Sequence, residues 1–588
     1  YEGEVEATEG PAAGMTSVDL NVSETSSTPV GYSLQKVGSG NKVCSFVWTD
    51  PSPESPGSIN ANQTFTVEDD AICSGDDNGL VLGQCGDDAT FISQVQGAGY
   101  VTPFNSQDVI IEGVVSAVFP ALNGFYIQEE AADYDADDST SEGVFVYTGT
   151  SDMAVSEGRV VRLSGSAGEF NDVTQVSLDT EVLDCGAGSV TPVVLSLPVE
   201  QYSDFESLEG MLVESGETWT ISGNYNYFSY NELIVSNGRL YNPTQLYLPG
   251  SEEQIAASDE YTRNHIIVDD DANGFVYDAN TDSGDWLLPV DGLSPYNPVR
   301  TGDEISNVTG VVGYGFGEYR IYTVTEPQLA RVNVREDLVV EDGNLRIASF
   351  NVLNLFNGDG NGDGFPTERG ADTYSEYERQ LAKIINALDD INADVLGLIE
   401  VENDGFGEDS TLAQLVDELN AAFGPDTYAY IDVSGNDESG LLGTDAIMSA
   451  IVYRPSVVTP IGAPKVLMEA NAITDEYGSL FRDRGTRPSV AQLFKHAQSE
   501  REFVFNVNHL RSKGSSCNKY GIPNDDSAVQ GNCNLTRTRA ATAVSVWLEE
   551  NYADLPVVIV GDLNAYAKED PITEFESFGY INTVAAQH

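Results

Sequence analysis

A chain of 588 residues is too long for one hydrophobic core, so three or four domains are expected. Lys and Arg number 27 against 94 Asp and Glu, a formal net charge of −67, which repels nucleic acid at long range and argues against a structural or regulatory nucleic-acid binder. It leaves room for an enzyme that touches one or two phosphates through a metal and a few arginines, and it suits a soluble secreted protein of a salty, halophilic or marine setting where screening is strong.

No run of 18 apolar residues is present, so no transmembrane segment is expected in this sequence. No signal peptide begins the chain and Tyr1 is not an initiator, which reads as processed or trimmed material. None of the six cysteines forms a CxxC pair, so a cysteine zinc site is not expected. Cys73/Cys85 and Cys517/Cys533 each bracket a short polar loop and read as local disulfides, leaving Cys44/Cys185 by arithmetic. Disulfides imply an oxidising compartment, hence an extracellular location.

Residues 1–80 are turn-rich, with short β segments at Gly31–Val37 and Val43–Trp48. GYSLQKVGSG followed by FVWTDPSPESPGSINANQTF resembles the end of a lamin-tail-type immunoglobulin-like domain, so a partial domain of that kind is expected. Residues 86–185 alternate over Val109–Val118, Gly124–Glu130, Gly143–Thr148 and Arg159–Gly165, the spacing of a small OB-like barrel. Their acidic loop Asp133–Asp138 reads first as a solvated turn, with calcium as the second option. Residues 190–335 read as a second OB-like β unit, with Gly210–Val213, Glu232–Val235 and Ile305–Tyr314 as strands and the acidic turn Asp269–Asp271. Tyr225, Tyr227, Phe228 and Tyr230 fit a tyrosine-rich sheet face or a stacking platform for bases. Residues 331–343 read as a linker.

From Leu345 the pattern becomes α/β. Apolar strands at Leu345–Asn351, Asp394–Ile399, Ile447–Tyr453, Glu502–His509 and Val557–Val560 alternate with amphipathic helices carrying Leu381, Ile384, Ile385 and Leu388, then Leu412, Leu415, Val416 and Leu419, then Ala540, Val544, Trp547 and Leu548. Ser375-x-x-Glu378 reads as a capping box.

Strand ends in this region repeatedly deliver polar residues: Asn351, Glu400, Asn508 with His509, and Asp562 with Asn564 in VVIVGDLNAY. These types suit metal-assisted hydrolysis of a phosphate ester. Glu400, Asn351, Asp562 and Asn564 are the candidate metal ligands, for Mg2+ or Mn2+, with Asp562 also able to orient water. His509 donates to phosphate or moves a proton near neutral pH. Cations are scarce, which singles out Arg511, Lys513, Arg537 and Arg539, with Asn508, as substrate contacts. NGDGNGDG at 357–364 reads as a flexible loop first; its Asp359 and Asp363 are candidates for a structural calcium.

SFNVLNLF (349–356), FPTERGAD (365–372), YERQLAKI (377–384), ADVLGLIEVEN (393–403), IVYRP (451–455), RPSVAQLF (487–494), VNHLRSKG (507–514) and VVIVGDLNAY (557–566) together resemble the endonuclease/exonuclease/phosphatase superfamily, and within it the bacterial secreted nucleases of DNase I-like type. The resemblance covers 344–588 and implies a four-layer αββα sandwich. It gives Glu400 the family's metal-binding role, Asn351 the first-strand position near the metal, His509 the phosphate contact with Asn508 beside it, and Asp562 and Asn564 the DxN pair. The family also uses a late Asp–His pair that activates water, and no Asp directly precedes a His after Tyr566. The expectation is therefore a catalytic domain incomplete at its C-terminal side and inactive as given, with the pair carried by the intact gene product.

These readings lead to a secreted metal-dependent nuclease acting on extracellular DNA, with RNA as a further candidate substrate and a monomer favoured, its β modules positioning substrate or attaching the enzyme to a surface or matrix. A phosphoesterase of phospholipids or nucleotides is the first alternative. A non-enzymatic surface or matrix-binding protein with a spent nuclease domain is the second.

Overall fold

The computed structural model describes residues 28–584, except 41–45, 54, 56–58, 61, 66–81, 151–154, 180–181, 271–276, 279–282, 285–286, 288–297, 335–342, 437–438, 484 and 519–520. The chain divides into two compact units, one of residues 1–235, 266–299 and 304–330, the other of residues 236–265, 300–303 and 331–588.

The described part of the first unit is mainly β-sheet, with a few short helices. Tyr32–Gly40 pairs with Phe46–Pro53 and Gln63–Phe65 in a three-stranded sheet. Gln107–Phe119, Gly124–Gln128, Gly143–Tyr147, Val173–Leu178 and Arg159–Phe170 follow one another around a sheet that closes through pairing of Gln107–Phe119 with Arg159–Phe170. Closure removes the edges that an open sheet of this size would leave, and Ile111, Phe125, Ile127, Val144 and Leu163 fill the interior. Leu183–Ala187 adds a sixth strand. Strands within residues 193–330 form a nine-stranded sheet. Tyr227, Phe228 and Tyr230 lie on a single helical turn, with Tyr227 fully buried, and not on a strand face.

One disulfide joins Cys85 to Cys185. This corrects the expected Cys73–Cys85 and Cys44–Cys185 pairs; Cys44 and Cys73 lie outside the described residues. Short-range pairing was favoured because loop closure is cheap over few residues, but closing the barrel places the loop before Gln107–Phe119 beside strand Leu183–Ala187. Cys517–Cys533 forms as expected.

The second unit holds the α/β region. Its elements are β1 (Ile347–Leu355), α1 (Tyr374–Ile391), β2 (Val395–Glu402), α2 (Thr411–Phe423), β3 (Ala429–Tyr430), β4 (Ile447–Tyr453), β5 (Val458–Leu467), β6 (Arg487–His496), β7 (Glu502–His509), α3 (Asn534–Tyr552), β8 (Val557–Asp562) and α4 (Asp570–Ser577). They build two four-stranded sheets, β1-β2-β4-β3 and β5-β6-β7-β8. One core joins α1 and α2 to the first sheet and that sheet to the second, through Ile384, Leu415, Leu396, Ile451, Val490 and Phe505. Gly397 of β2 lets Val507 and Val560 approach; an added Cβ would lie 2.7 Å from Val560. A second core seats α3 and α4 on the outer face of the second sheet through Val544, Trp547, Phe575 and Val504. Four layers, α-β-β-α, result. The capping box of α1 is Thr373 with Glu376, two residues before the expected Ser375-x-x-Glu378.

Each sheet has one parallel edge pair: β1 with β2, and β7 with β8. Parallel neighbours end together, so each pair brings two strand C-termini to one place.

Candidate active site

The four strand ends converge. In the first sheet, Asn351 leaves β1 beside Glu400 of β2. The β1–β2 register slips after Asn351/Ile399 and the β2–β4 register slips between Ile399 and Val401, so Glu400 is a bulge residue, at φ 68°. A bulge re-aims one side chain without ending the strand. Its two oxygens are fixed from different sides: Asn351 Nδ2 donates to Oε1 at 3.1 Å and the Asn354 amide to Oε2 at 3.1 Å. Asn351 Nδ2 also lies 3.5 Å from Asp562 Oδ2, while its Oδ1 accepts from Leu353 N at 2.9 Å. Asn351 therefore bridges the two carboxylates as a donor.

In the second sheet, His509 is in register with Asp562. Gly561, at φ 131°, is needed here: a Cβ would collide with the carbonyl oxygen of Asn508. Asp562 Oδ1 accepts the Asn564 amide at 2.9 Å, and Asn564 Nδ2 donates to Leu510 O at 3.1 Å. Asn564 thus locks the two strand ends together and sets the Asp562 rotamer, with its Nδ2 committed to Leu510. His509 Nε2 lies 3.9 Å from Glu400 Oε1 and 4.0 Å from Asp562 Oδ2. Among the described residues, Glu400, His509 and Asp562 form the one group of three whose ligand atoms all fall within 4.8 Å of one another.

Three residues not singled out from the sequence complete the surroundings. Asp445 pairs with Arg369 Nη1 at 2.9 Å and with Arg487 Nε at 3.3 Å, and Arg487 Nη1 lies 3.4 Å from His509 Nε2. Burial first, then the Arg487 and Arg369 charges, drives the His509 imidazole down to about 3. This favours the neutral ring, which offers one N–H donor and one acceptor nitrogen. Arg369 and Arg487 stand in the FPTERGAD and RPSVAQLF segments; their signal was the scarcity of cations, which was spent on other residues.

The expected substrate contacts divide. Arg511 is half-buried, packs on Gly485 and makes no ion pair among the described residues. Lys513 Nζ is paired with both oxygens of Glu569 at 2.7 Å and lies over the Tyr566 ring. Arg537 is fully buried and donates to the carbonyls of Arg511, Asn532 and Gln530. Arg539 is buried against Asp475 and the carbonyls of Gly478 and Ser479. Both are structural, because α3 is enclosed on nearly every side and a guanidinium there must satisfy the backbone around it. Asn508 is fully buried and donates to Asn506 Oδ1, so it does not reach substrate. Asp359 Oδ1 accepts the amides of Asn361 and Asp363, so the 357–364 loop folds back on itself around that oxygen. A cavity of about 700 Å3 adjoins Asp562 and Asn564, with Gln245, Lys513 and Tyr566 in its wall.

Residues 198–335 match a family described as a domain of unknown function, DUF8508. No curated protein matches the chain. Solved structures that match include the human nocturnin catalytic domain with bound sulfate, at 16% identity over 36% of this chain and 64% of that one, TM-score 0.23. An endonuclease/exonuclease/phosphatase family protein from Bacteroides thetaiotaomicron matches at 19% identity over 40% of this chain and 68% of that one, TM-score 0.26. A mannosyl-6-phosphatase of the same organism matches at 17% identity over 40% and 70%, TM-score 0.26. The chain spans a little under two thirds of the nocturnin domain. No described helix is long and apolar enough to cross a membrane.

Proposed function

We propose that this chain is a divalent-metal-dependent phosphodiesterase that cleaves extracellular DNA. The observation that carries the reading is the meeting of Glu400, Asp562 and His509 from three strand ends of two sheets, with ligand atoms within 4.8 Å. The donor set fits a hard cation: two carboxylate oxygens, each held in place by neutral amides rather than by a lysine or arginine. Glu400 and Asp562 would hold Mg2+ or Mn2+, which when bound polarises a phosphoryl oxygen and lowers the pKa of water.

The chain's own residues supply the rest. Asn351 keeps the two carboxylates at a fixed separation. Neutral His509 presents Nε2 where a phosphate oxygen would lie. Arg369, Arg487 and Arg511 place guanidinium charge beside that position, which in so acidic a protein favours an anionic substrate. The Cys85–Cys185 and Cys517–Cys533 disulfides support secretion.

The test is incubation of the purified intact gene product with supercoiled plasmid in Mg2+ or Mn2+, with RNA and a phospholipid in parallel. Nicking that chelator abolishes is expected. Unchanged DNA with hydrolysed phospholipid would transfer the site to the smaller substrate, and unchanged substrates throughout would sink the enzymatic reading.

A further inference from the structure

Two residues far upstream of the candidate site are built into its support. Leu233–Ser236 and Ile266–Asp269 are neighbouring strands of the nine-stranded sheet, yet residues 236–265, which join them, pack as part of the second unit. Within that segment Pro243–Leu246 forms one helical turn, capped by Asn242, whose Oδ1 accepts the Thr244 amide at 3.0 Å.

The turn holds the loop that runs from β8 to α4. The Lys568 amide donates to the Thr244 carbonyl at 3.0 Å, and the Ala567 amide donates to Gln245 Oε1 at 3.1 Å. The Thr244 hydroxyl lies 2.8 Å from Glu569 Oε1 and 2.7 Å from Asn242 Oδ1. Thr244 is 2% exposed and Glu569 1%, so these contacts are enclosed. Enclosed amides need acceptors of fixed position, and the Gln245 acceptor is supplied from 322 residues away in the sequence.

Glu569 passes the constraint on. Both its oxygens accept from Lys513 Nζ at 2.7 Å, and Oε2 accepts the Tyr566 amide at 3.2 Å. Lys513 follows His509 by four residues, and Tyr566 follows Asp562 by four. The loops that leave the ends of β7 and β8 thus meet on one buried carboxylate, and the helical turn anchors it. Gln245 also stands in the wall of the cavity beside Asp562. A contact made for stability alone has no reason to fall on the two loops that emerge from His509 and Asp562.

We propose that Thr244 and Gln245 are positioning residues of the candidate active site. By holding residues 566–569 and, through Glu569, Lys513, they set the placement of Asp562 relative to His509. The proposal rests on the phosphodiesterase reading, and it gives part of the segment that matches the family of unknown function a role in the hydrolytic site. Supports of this kind matter because a misplacement of about 1 Å, introduced far from the chemistry, costs roughly 100-fold in rate.

The intact gene product would be compared with Thr244→Val, which removes the hydroxyl and keeps the shape, with Thr244→Ser, which keeps the hydroxyl, and with Gln245→Met, which removes the acceptor of the Ala567 amide. The readouts are Mn2+ affinity by electron paramagnetic resonance, and kcat and KM for plasmid nicking in saturating Mn2+. Thr244→Val and Gln245→Met should each bind Mn2+ about tenfold more weakly and lose about tenfold in kcat, with KM for DNA within about twofold of the wild type, while Thr244→Ser stays within about twofold throughout. A purely structural role lowers the denaturation midpoint and leaves the Mn2+ affinity and kcat of the folded protein unchanged; that result overturns the proposal, and the phosphodiesterase reading survives it because the wild type still nicks DNA. A wild type that binds Mn2+ without nicking DNA sinks that reading alone, and the Mn2+ affinities still decide the positioning. A wild type that does neither overturns both. Should Thr244→Val fail to fold, Gln245→Met decides, because Gln245 is only half-buried.

Discussion

Glu400 owes its place to a backbone conformation that glutamate seldom adopts, φ 68° inside a doubly slipped register. Such conformations persist where the surroundings over-determine them, and here both carboxylate oxygens are held by donors. Glu400→Gln keeps the shape and removes the charge, so plasmid nicking should fall by roughly 100-fold or more with unchanged circular dichroism, and Asp562→Asn should do the same. A normal rate in either variant would remove the assignment. Behind His509, Asp445 sits between Arg369 and Arg487, one carboxylate shared by two guanidinium groups. Asp445→Ala leaves a largely buried Arg487 without its carboxylate and should cost about 3 kcal/mol in urea denaturation. Glu400, His509 and Asp562 were legible because each ends an apolar run, where packing has no use for a polar group. Arg537 and Arg539 were misread for a related reason: rarity of cations marks a residue as notable but says nothing of burial, and the carbonyls that Arg537 and Arg539 satisfy come from loops at 475–479 and 511–532 that only the fold brings near.

At the scale of elements, apolar strands and amphipathic helices in 344–588 were readable in chain order, because period and strand composition are local properties. The long pairing of Cys85 with Cys185 was not, since it depends on barrel closure, and the nine-stranded sheet was not, since its neighbours include Leu212–Ser215 beside Thr309–Gly315. Two backbone contacts of this kind can be tested. Gly561→Ala puts a methyl group into the Asn508 carbonyl and forces φ 131° on an L residue, so the β7–β8 pair must part. A loss of about 3 kcal/mol or more is expected by chemical denaturation, with activity falling further than either carboxamide variant's stability would explain. In the first unit, Gly143 and Gly210 stack backbone on backbone, and Glu209 is buried beside them with its Oε1 on Thr174 N. Burial, then Glu206, raises the Glu209 carboxyl well above 4.5. The folded state therefore holds a proton that the unfolded state has already lost once pH exceeds about 4.5, so stability falls as pH rises. Glu209→Gln keeps the amide bond without the charge. Denaturation midpoints of the wild type should drop from pH ~5 to pH ~8 relative to Glu209→Gln, and parallel profiles would show that Glu209 is ionised in the fold.

For the whole molecule, the net charge of −67 sets the terms on which a polyanionic substrate is met. A basic nucleic-acid binder loses affinity as salt rises, because each phosphate contact releases a counterion; six to ten contacts cost roughly 10³–10⁵ between about 50 and 200 mM. This chain has few cations to offer: Lys513, Arg537 and Arg539 are committed to Glu569, backbone carbonyls and Asp475, which leaves Arg369 and Arg487, sharing the single carboxylate of Asp445, and Arg511 around the candidate site. Against those three stands the long-range repulsion of the remaining surface. Its reach is about 30 Å at 0.01 M salt and about 10 Å at 0.1 M, whereas the contacts at the strand ends are short-ranged and partly buried, so salt weakens the repulsion more than the attraction. KM for plasmid DNA should therefore fall, by severalfold, as NaCl rises from about 10 to about 150 mM, with kcat little changed, since encounter and not the bond-breaking geometry is what screening alters. Steady-state nicking rates across that range measure it. A KM that instead climbs steeply with salt would mean that the arginine contacts outweigh the field of the whole chain, and that the acidic surface is turned away from the path of the substrate.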